Sequence, residues 1–227
     1  MTGHLLDRPV WHALTGSQRA CATGTAPALR FAPDLGLFAA AADDGPAALT
    51  ELTALCPAGE MIGLVETADW PMPPGMTLHR RALCHQMVAE RPRPPEATGF
   101  DILDLGDGDA AEMLALATLT QPGPFFARTH RLGNFIGVRI DGRLAAMAGE
   151  RMHVGPYREV SGVCTHPDYR GRGLAGALMP IVAARIVARG ETPFLHSYAD
   201  NHAAIALYER LGFRLRSPIT FTVLARP

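Results

Sequence analysis

Lysine is absent: all 21 basic side chains are arginine. Set against 22 acidic residues they leave a formal charge of −1, which gives no electrostatic reason to expect a nucleic acid or an anionic membrane as partner. Cysteine is sparse and scattered, at Cys21, Cys56, Cys84 and Cys164, with no Cys-x-x-Cys pair. That spacing indicates neither a zinc ribbon nor a disulfide framework, and buried thiols in a reducing cytosol are expected. No apolar stretch reaches the length of a membrane span, and no basic segment leads into an apolar run near residue 1, so a cytoplasmic location is expected. What is present, 48% hydrophobic and 19% charged residues in a chain of 227, is the composition of a soluble globular protein with one large or two small domains.

The most informative stretch is Glu159 to Gly176. Val160 to Thr165 are β-branched or apolar and suit a strand, Pro167 stops it, and Gly171, Gly173 and Gly176 permit a tight turn. Leu174, Leu178, Ile181, Val182 and Ile186 then recur at helical spacing until Gly190, with Pro180 as an interior irregularity. A glycine turn opening a helix exposes unpaired N–H groups at the positive end of the helix dipole. With Arg170 and Arg172 beside it, this is a site for a pyrophosphate.

Two ligands compete for that site. Gly171-x-Gly173-x-x-Gly176, with Glu191 downstream, satisfies the spacing of a dinucleotide fingerprint, but five residues separate Thr165 from the first glycine and Glu191 precedes the next apolar run. The same residues read as Arg170-x-x-Gly173-x-Ala175, which resembles the acetyl-CoA pyrophosphate loop of the GNAT superfamily of N-acyltransferases. Downstream, Asn201-His202-Ala203-Ala204-Ile205-Ala206-Leu207-Tyr208-Glu209-Arg210-Leu211-Gly212-Phe213 resembles the closing signature of that family. The joint resemblance covers about Gly99 to Pro227.

The resemblance implies an α/β (α+β) fold, a mixed and mostly antiparallel sheet flanked by helices. The Pro-rich run from Arg91 to Glu96 is the best boundary in the chain, so residues 1–95 are expected to form a smaller α/β N-terminal domain and 96–227 the GNAT-like domain. The first part alternates strands and helices without a phosphate loop, and reads as a degenerate second module or as a substrate-facing cap. Asp141-Gly142 is a hairpin turn between strands at 134–140 and 143–151.

The resemblance also implies a reaction: an acetyl group passes from acetyl-CoA to an amine by direct attack through a tetrahedral intermediate, with no metal. Cofactor contacts fall by resemblance on Val163, Cys164 and Thr165, on Arg170, Gly171, Arg172, Gly173, Leu174, Ala175 and Gly176, and on Asn201. Tyr208 matches the residue that protonates the leaving thiolate. Glu159 matches a general base of some members; four residues before Val163, it is expected on the same strand face, with Glu150 in reserve. Cys164, opposite Val163 by alternation, reads as structural. Phe125, Phe126, Arg128 and His130 lie where the family lines its acceptor site, although core aromatics and a solvated loop explain them equally well. The acceptor is expected to be a small-molecule or peptide amine. The competing class is a module that binds acyl-CoA without catalysis. The missing lysines leave the chain no side-chain amine to acetylate itself.

Overall fold

The computed structural model describes residues 3–227. Pro9 fixes the first turn of helix α1 (Pro9–Thr15), which Gly16 terminates. Strands β1 (Ala22–Thr25), β2 (Ala28–Phe31) and β3 (Ala39–Ala41) form a small antiparallel sheet. Helix α2 (Pro46–Ala54) follows with Pro46 at its first position, and β4 (Met61–Glu66) and β5 (Thr77–Val88) complete the first part of the chain. Beyond the Pro-rich run come β6 (Leu103–Leu105), α3 (Ala110–Thr120), β7 (Phe135–Ile140), β8 (Arg143–Val154) and β9 (Tyr157–Thr165). The chain ends with α4 (Leu174–Ala188), β10 (Thr192–Tyr198), α5 (His202–Arg210) and β11 (Arg214–Ala225).

Eight strands make one sheet in the order β4-β11-β5-β10-β9-β8-β7-β6, antiparallel throughout except for the parallel pair β9–β10. Strands from both sides of the Pro-rich run therefore share one sheet, with β5 seated between β10 and β11. Asp141 and Gly142 both have positive φ, as a two-residue hairpin turn requires. β11 runs unbroken from Arg214 to Ala225, with an irregularity in its pairing with β5 between Leu215 and Ser217.

The sheet is covered on both faces. Leu174, Leu178, Met179, Val182 and Ile186 of α4 pack on Ile136, Ala146, Ala148 and Val160. On the opposite face, α1 sets Val10 and Leu14 against Met152, Phe194 and Phe221, while α3 sets Met113 and Leu116 against Phe135, Met147 and Cys164. At roughly 25 cal/mol per Å² of apolar area removed from water, these contacts carry most of the stabilisation, and two covered faces define a layered α+β fold.

Candidate active site

Strands β9 and β10 begin as a parallel pair, Thr192–Phe194 against Tyr157–Glu159, and then separate. Beyond Glu159 no residue of β9 pairs with β10, so a cavity of about 110 Å³ opens between Val160–Val163 and Leu195–Tyr198. The cause of the parting is local. Gly162 has φ +64, and on β9 the three steps from Ser161 to Cys164 span what the two steps from Gly149 to Met147 span on β8. That is a β-bulge with glycine in the left-handed region, where L side chains are strained and where a Cβ would also meet the Phe135 ring at 2.8 Å.

The bulge resets strand alternation. Val160 and Val163, three apart, both pack on the α4 face, whereas Cys164 packs on the α3 face and Glu159 faces the side of Arg151 and Phe38. The expected sharing of a face by Glu159 and Val163 is therefore corrected: unbroken alternation would give it, and the extra residue at Gly162 removes it. Cys164 does lie opposite Val163, buried, with its thiol pushed up to about 11 by burial.

Glu159 lines the cavity, and its carboxylate is already satisfied. Arg151 donates Nε to Oε2 at 2.9 Å and Nη2 to Oε1 at 2.8 Å, His196 Nδ1 lies 2.8 Å from Oε1, and the Met152 amide donates to Oε2 at 3.3 Å. Burial alone would raise its pKa; the Arg151 charge, helped by hydrogen bonds from His196 and Arg151, wins and holds the carboxyl well below its ordinary range. Four donors fill the lone pairs of a carboxylate, so Glu159 has little affinity for a further proton. A carboxyl held in this way is a poor proton acceptor, unlike the general base that the resemblance implies. Glu150, the reserve, is buried with Arg189 at 2.9 Å and Arg158 at 3.6 Å and does not line the cavity.

The network continues past His196. Gln86, its cross-strand partner on β5, places Nε2 3.0 Å from His196 Nε2 and donates from the same atom to the Leu6 carbonyl at 2.8 Å. Gln86 Oε1 accepts from Arg216 Nη1 at 2.7 Å, and Arg216 pairs in turn with Asp7. The donor–acceptor order is forced: arginine only donates and a carbonyl only accepts, so the Gln86 amide nitrogen must donate to His196 Nε2. The ring then presents its Nδ1–H to Glu159.

Tyr208 on α5 borders the cavity, and burial raises its phenol pKa, which favours the protonated form needed for donation. Asn201 also borders it while its Oδ1 accepts from the Ala204 amide at 3.3 Å, capping α5. The turn before α4 is exposed from Arg170 to Gly173; Gly171 and Gly173 have φ +76 and +80, and a Cβ on either would meet nothing within 4 Å. The α4 N-terminus thus faces open space, which fits a pyrophosphate. Arg172 rests over the Tyr169 ring at 5.2 Å. Leu174 is instead buried beneath the turn and contributes only its backbone. Glu191, the acidic residue of the dinucleotide pattern, is tied to Arg158, Arg189 and His153.

None of Phe125, Phe126, Arg128 and His130 lines the cavity; its loop wall is Pro122, Gly123 and Pro124 just before them. Phe125 packs edge-on against Phe135, the Phe126 amide is held by Thr129, Arg128 pairs with Asp34 at 2.7 Å, and buried His130 meets Asp107 at 2.8 Å. Residues that sequence reasoning passed over take their place: Phe38, Val65, Cys84 and Phe221 close the end of the cavity, and Gln86 fixes His196 from outside it. Val65, Cys84, Gln86 and Phe221 lie within strands and Phe38 just before one, with no motif to single them out. Among the described residues no group of three or more His, Cys, Asp or Glu side chains could hold a metal ion, and no helix is long and apolar enough to cross a membrane.

Fold and site together define an acyl-CoA N-acyltransferase architecture. The family model described as FR47-like protein matches residues 136–222. A GNAT-family protein of Novosphingobium aromaticivorans of known structure is 48% identical and superposes with a TM-score of 0.93 over 99% of this chain and 100% of that one. The chain belongs to the GNAT family. A GCN5-related N-acetyltransferase of Kribbella flavida shares the fold at TM-score 0.63 and 19% identity over 95% of each chain. An acetyltransferase of Sodalis glossinidius is 40% identical over 55 residues, 24% of this chain and 39% of that relative, so the match spans about two fifths of the curated relative's length.

Proposed function

We propose that the chain transfers an acetyl group from acetyl-CoA to an amine nitrogen by direct attack, without a covalent enzyme intermediate. The observation that carries this reading is the bulge-driven parting of β9 from β10, which aligns an unpaired strand edge with the Gly171–Gly173 turn at one end and Tyr208 at its wall. The free edge of β9 around Val163 and Thr165 can pair with the pantetheine amides as an added strand would, and the α4 N-terminus with Arg170 and Arg172 takes the pyrophosphate. Asn201 lies beside this path. Tyr208 protonates the departing thiolate. Glu159 and His196 act as positioning residues: they hold the wall at the point where the strands part. Residues 1–95 supply part of the acceptor end through Phe38, Val65 and Cys84, which is the role of a substrate-facing unit.

Thermal unfolding with acetyl-CoA, CoA and NADH in parallel, on wild type and on Gly173→Glu, tests the assignment. Ligand at a hundredfold excess over Kd stabilises by about 2.7 kcal/mol, roughly 5–11 °C for a chain of this size. Acetyl-CoA and CoA should produce that shift in wild type and not in Gly173→Glu, each referred to its own unliganded melting point because a side chain at φ +80 is strained. A shift with NADH alone, or with none of the three, refutes the reading.

A further inference from the structure

We infer that the acceptor is a weakly basic aromatic amine that enters the cavity uncharged, rather than an alkyl ammonium such as a lysine side chain or a polyamine. The inference rests on the proposed transfer to an amine and concerns the other end of the same cavity. That end is walled by Phe38, Val65, Cys84, Phe221, Pro122 and Pro124, an apolar enclosure suited to a flat ring. The charges beside it do not invite a cation. Glu159 is the one carboxylate in the wall, and its four contacts leave no lone pair for an ammonium. The guanidinium of Arg151 stacks on the Phe38 ring at 4.6 Å and is paired with Glu159, so the two charges offset each other and present no net negative field to the apolar end.

The other ionisable groups of the wall agree. Gln86 faces His196 Nε2 and turns the Nδ1 side of the ring toward Glu159, and burial keeps the Cys84 thiol protonated, at about 11, and the Tyr208 phenol protonated. A positively charged amine would therefore lose its water for no better partner than a neutral hydroxyl or amide oxygen, such as that of Ser197 or Tyr198, which is costly for an ion. An alkyl amine with a pKa of ~10.4, like that of lysine, is neutral in only about one molecule in 2,500 at pH 7. An aromatic amine is neutral there almost entirely, because its lone pair is shared with the ring. It needs no proton removed before attack, which matches a cavity whose carboxylate cannot take one. The bonds balance: the amine lone pair forms the C–N bond as the C–S bond breaks, Tyr208 gives its proton to sulfur and recovers one from nitrogen. No external acid or base is consumed.

The test uses the full chain with acetyl-CoA at pH 7 and matched acceptors: aniline and 4-methoxyaniline against benzylamine and 4-methoxybenzylamine, with lysine amide and a tetrapeptide N-terminus alongside, followed by release of the CoA thiol. Allowing for the weaker nucleophilicity of an aromatic amine, the aromatic pair should exceed the benzyl pair at least tenfold in kcat/KM. The benzyl amines should gain about tenfold per pH unit up to pH 9, and the aromatic amines should stay flat. Preference for benzylamine, lysine amide or the peptide at pH 7 overturns the inference, as does turnover of no amine by a protein that acetyl-CoA still stabilises. In both of those cases the acetyl-CoA site stands, whereas absence of any acetyl-CoA stabilisation removes the proposed function itself.

Discussion

Replacing Glu159 by glutamine separates a proton-accepting role from a positioning one. The carboxylate is buried and holds Arg151 through two hydrogen bonds of 2.8 and 2.9 Å, so Glu159→Gln leaves a guanidinium that is itself 8% exposed facing a neutral amide. Breaking a buried pair by removing one partner costs about 3–5 kcal/mol. For a chain of this length each kcal/mol moves the melting temperature by roughly 2–4 °C, so a fall of about 6–20 °C is expected at pH 7. The pH dependence has a definite sign. The folded carboxyl titrates below its ordinary value of 4.5, so its stabilisation is present above that value and is lost as pH falls through the folded pKa. The melting curves of wild type and variant should therefore converge as the pH falls below about 4.5 and run parallel above it. Scanning calorimetry from pH 3 to 8 reads this directly, with CoA release measured on the same samples. A variant that keeps the wild-type melting temperature but loses roughly 100- to 10,000-fold in kcat, the usual contribution of a general base, would refute the argument and restore Glu159 as the base.

Tyr208→Phe should lower kcat by tenfold or more while leaving the acetyl-CoA-induced stabilisation intact; an unchanged kcat would assign the proton to water. Gly162→Ala places a Cβ 2.8 Å from the Phe135 ring on a left-handed backbone, so calorimetry should show a loss of about 1–3 kcal/mol together with weaker acetyl-CoA stabilisation. Gln86→Leu removes the donor to His196 and the acceptor of Arg216, and should cost about 1–3 kcal/mol in denaturant unfolding. With Cys84 and Cys164 buried and both thiols pushed up to about 11, iodoacetamide at pH 7.5 should leave these two unmodified in the native protein and reach them only in denaturant, as peptide mass spectrometry would show.

Local chemistry was the legible part of this chain. The Asp141-Gly142 turn and the glycines before α4 each act within a few residues, and each appears in the structure at its expected place. Tyr208 and Asn201 both border the cavity for a different reason: one lies on α5 and the other caps it, and a helix keeps such spacing fixed. Glu159 lines the cavity, but its chemistry depends on partners 8 and 37 positions away, and no pattern in one strand announces them. Gln86 lies 110 positions from His196 and becomes its neighbour only because β5 inserts between β10 and β11. That insertion is a long-range pairing, set by which apolar faces cover which, and neither strand spells it out alone.

The face of Glu159 turns on a single residue. Alternation along β9 is a period-two argument, and such an argument is only as good as the assumption that nothing is inserted. A glycine inside a strand is the one sign that something is, and Gly162 stood in plain view between Ser161 and Val163. Reading it as a bulge moves Val163 to the α4 side and leaves Glu159 and Ser161 on the other, as the packing shows. The same extra residue stops β9 from pairing with β10, so the device that opens the cavity also decides which side chains face it. A cavity made in this way presents backbone along the free strand edge and side chains from the opposite wall. Under the proposed function, main chain takes the long thioester and side chains of the opposite wall take the acceptor, which puts specificity in Phe38, Val65 and Phe221 rather than in the strand that carries the motif.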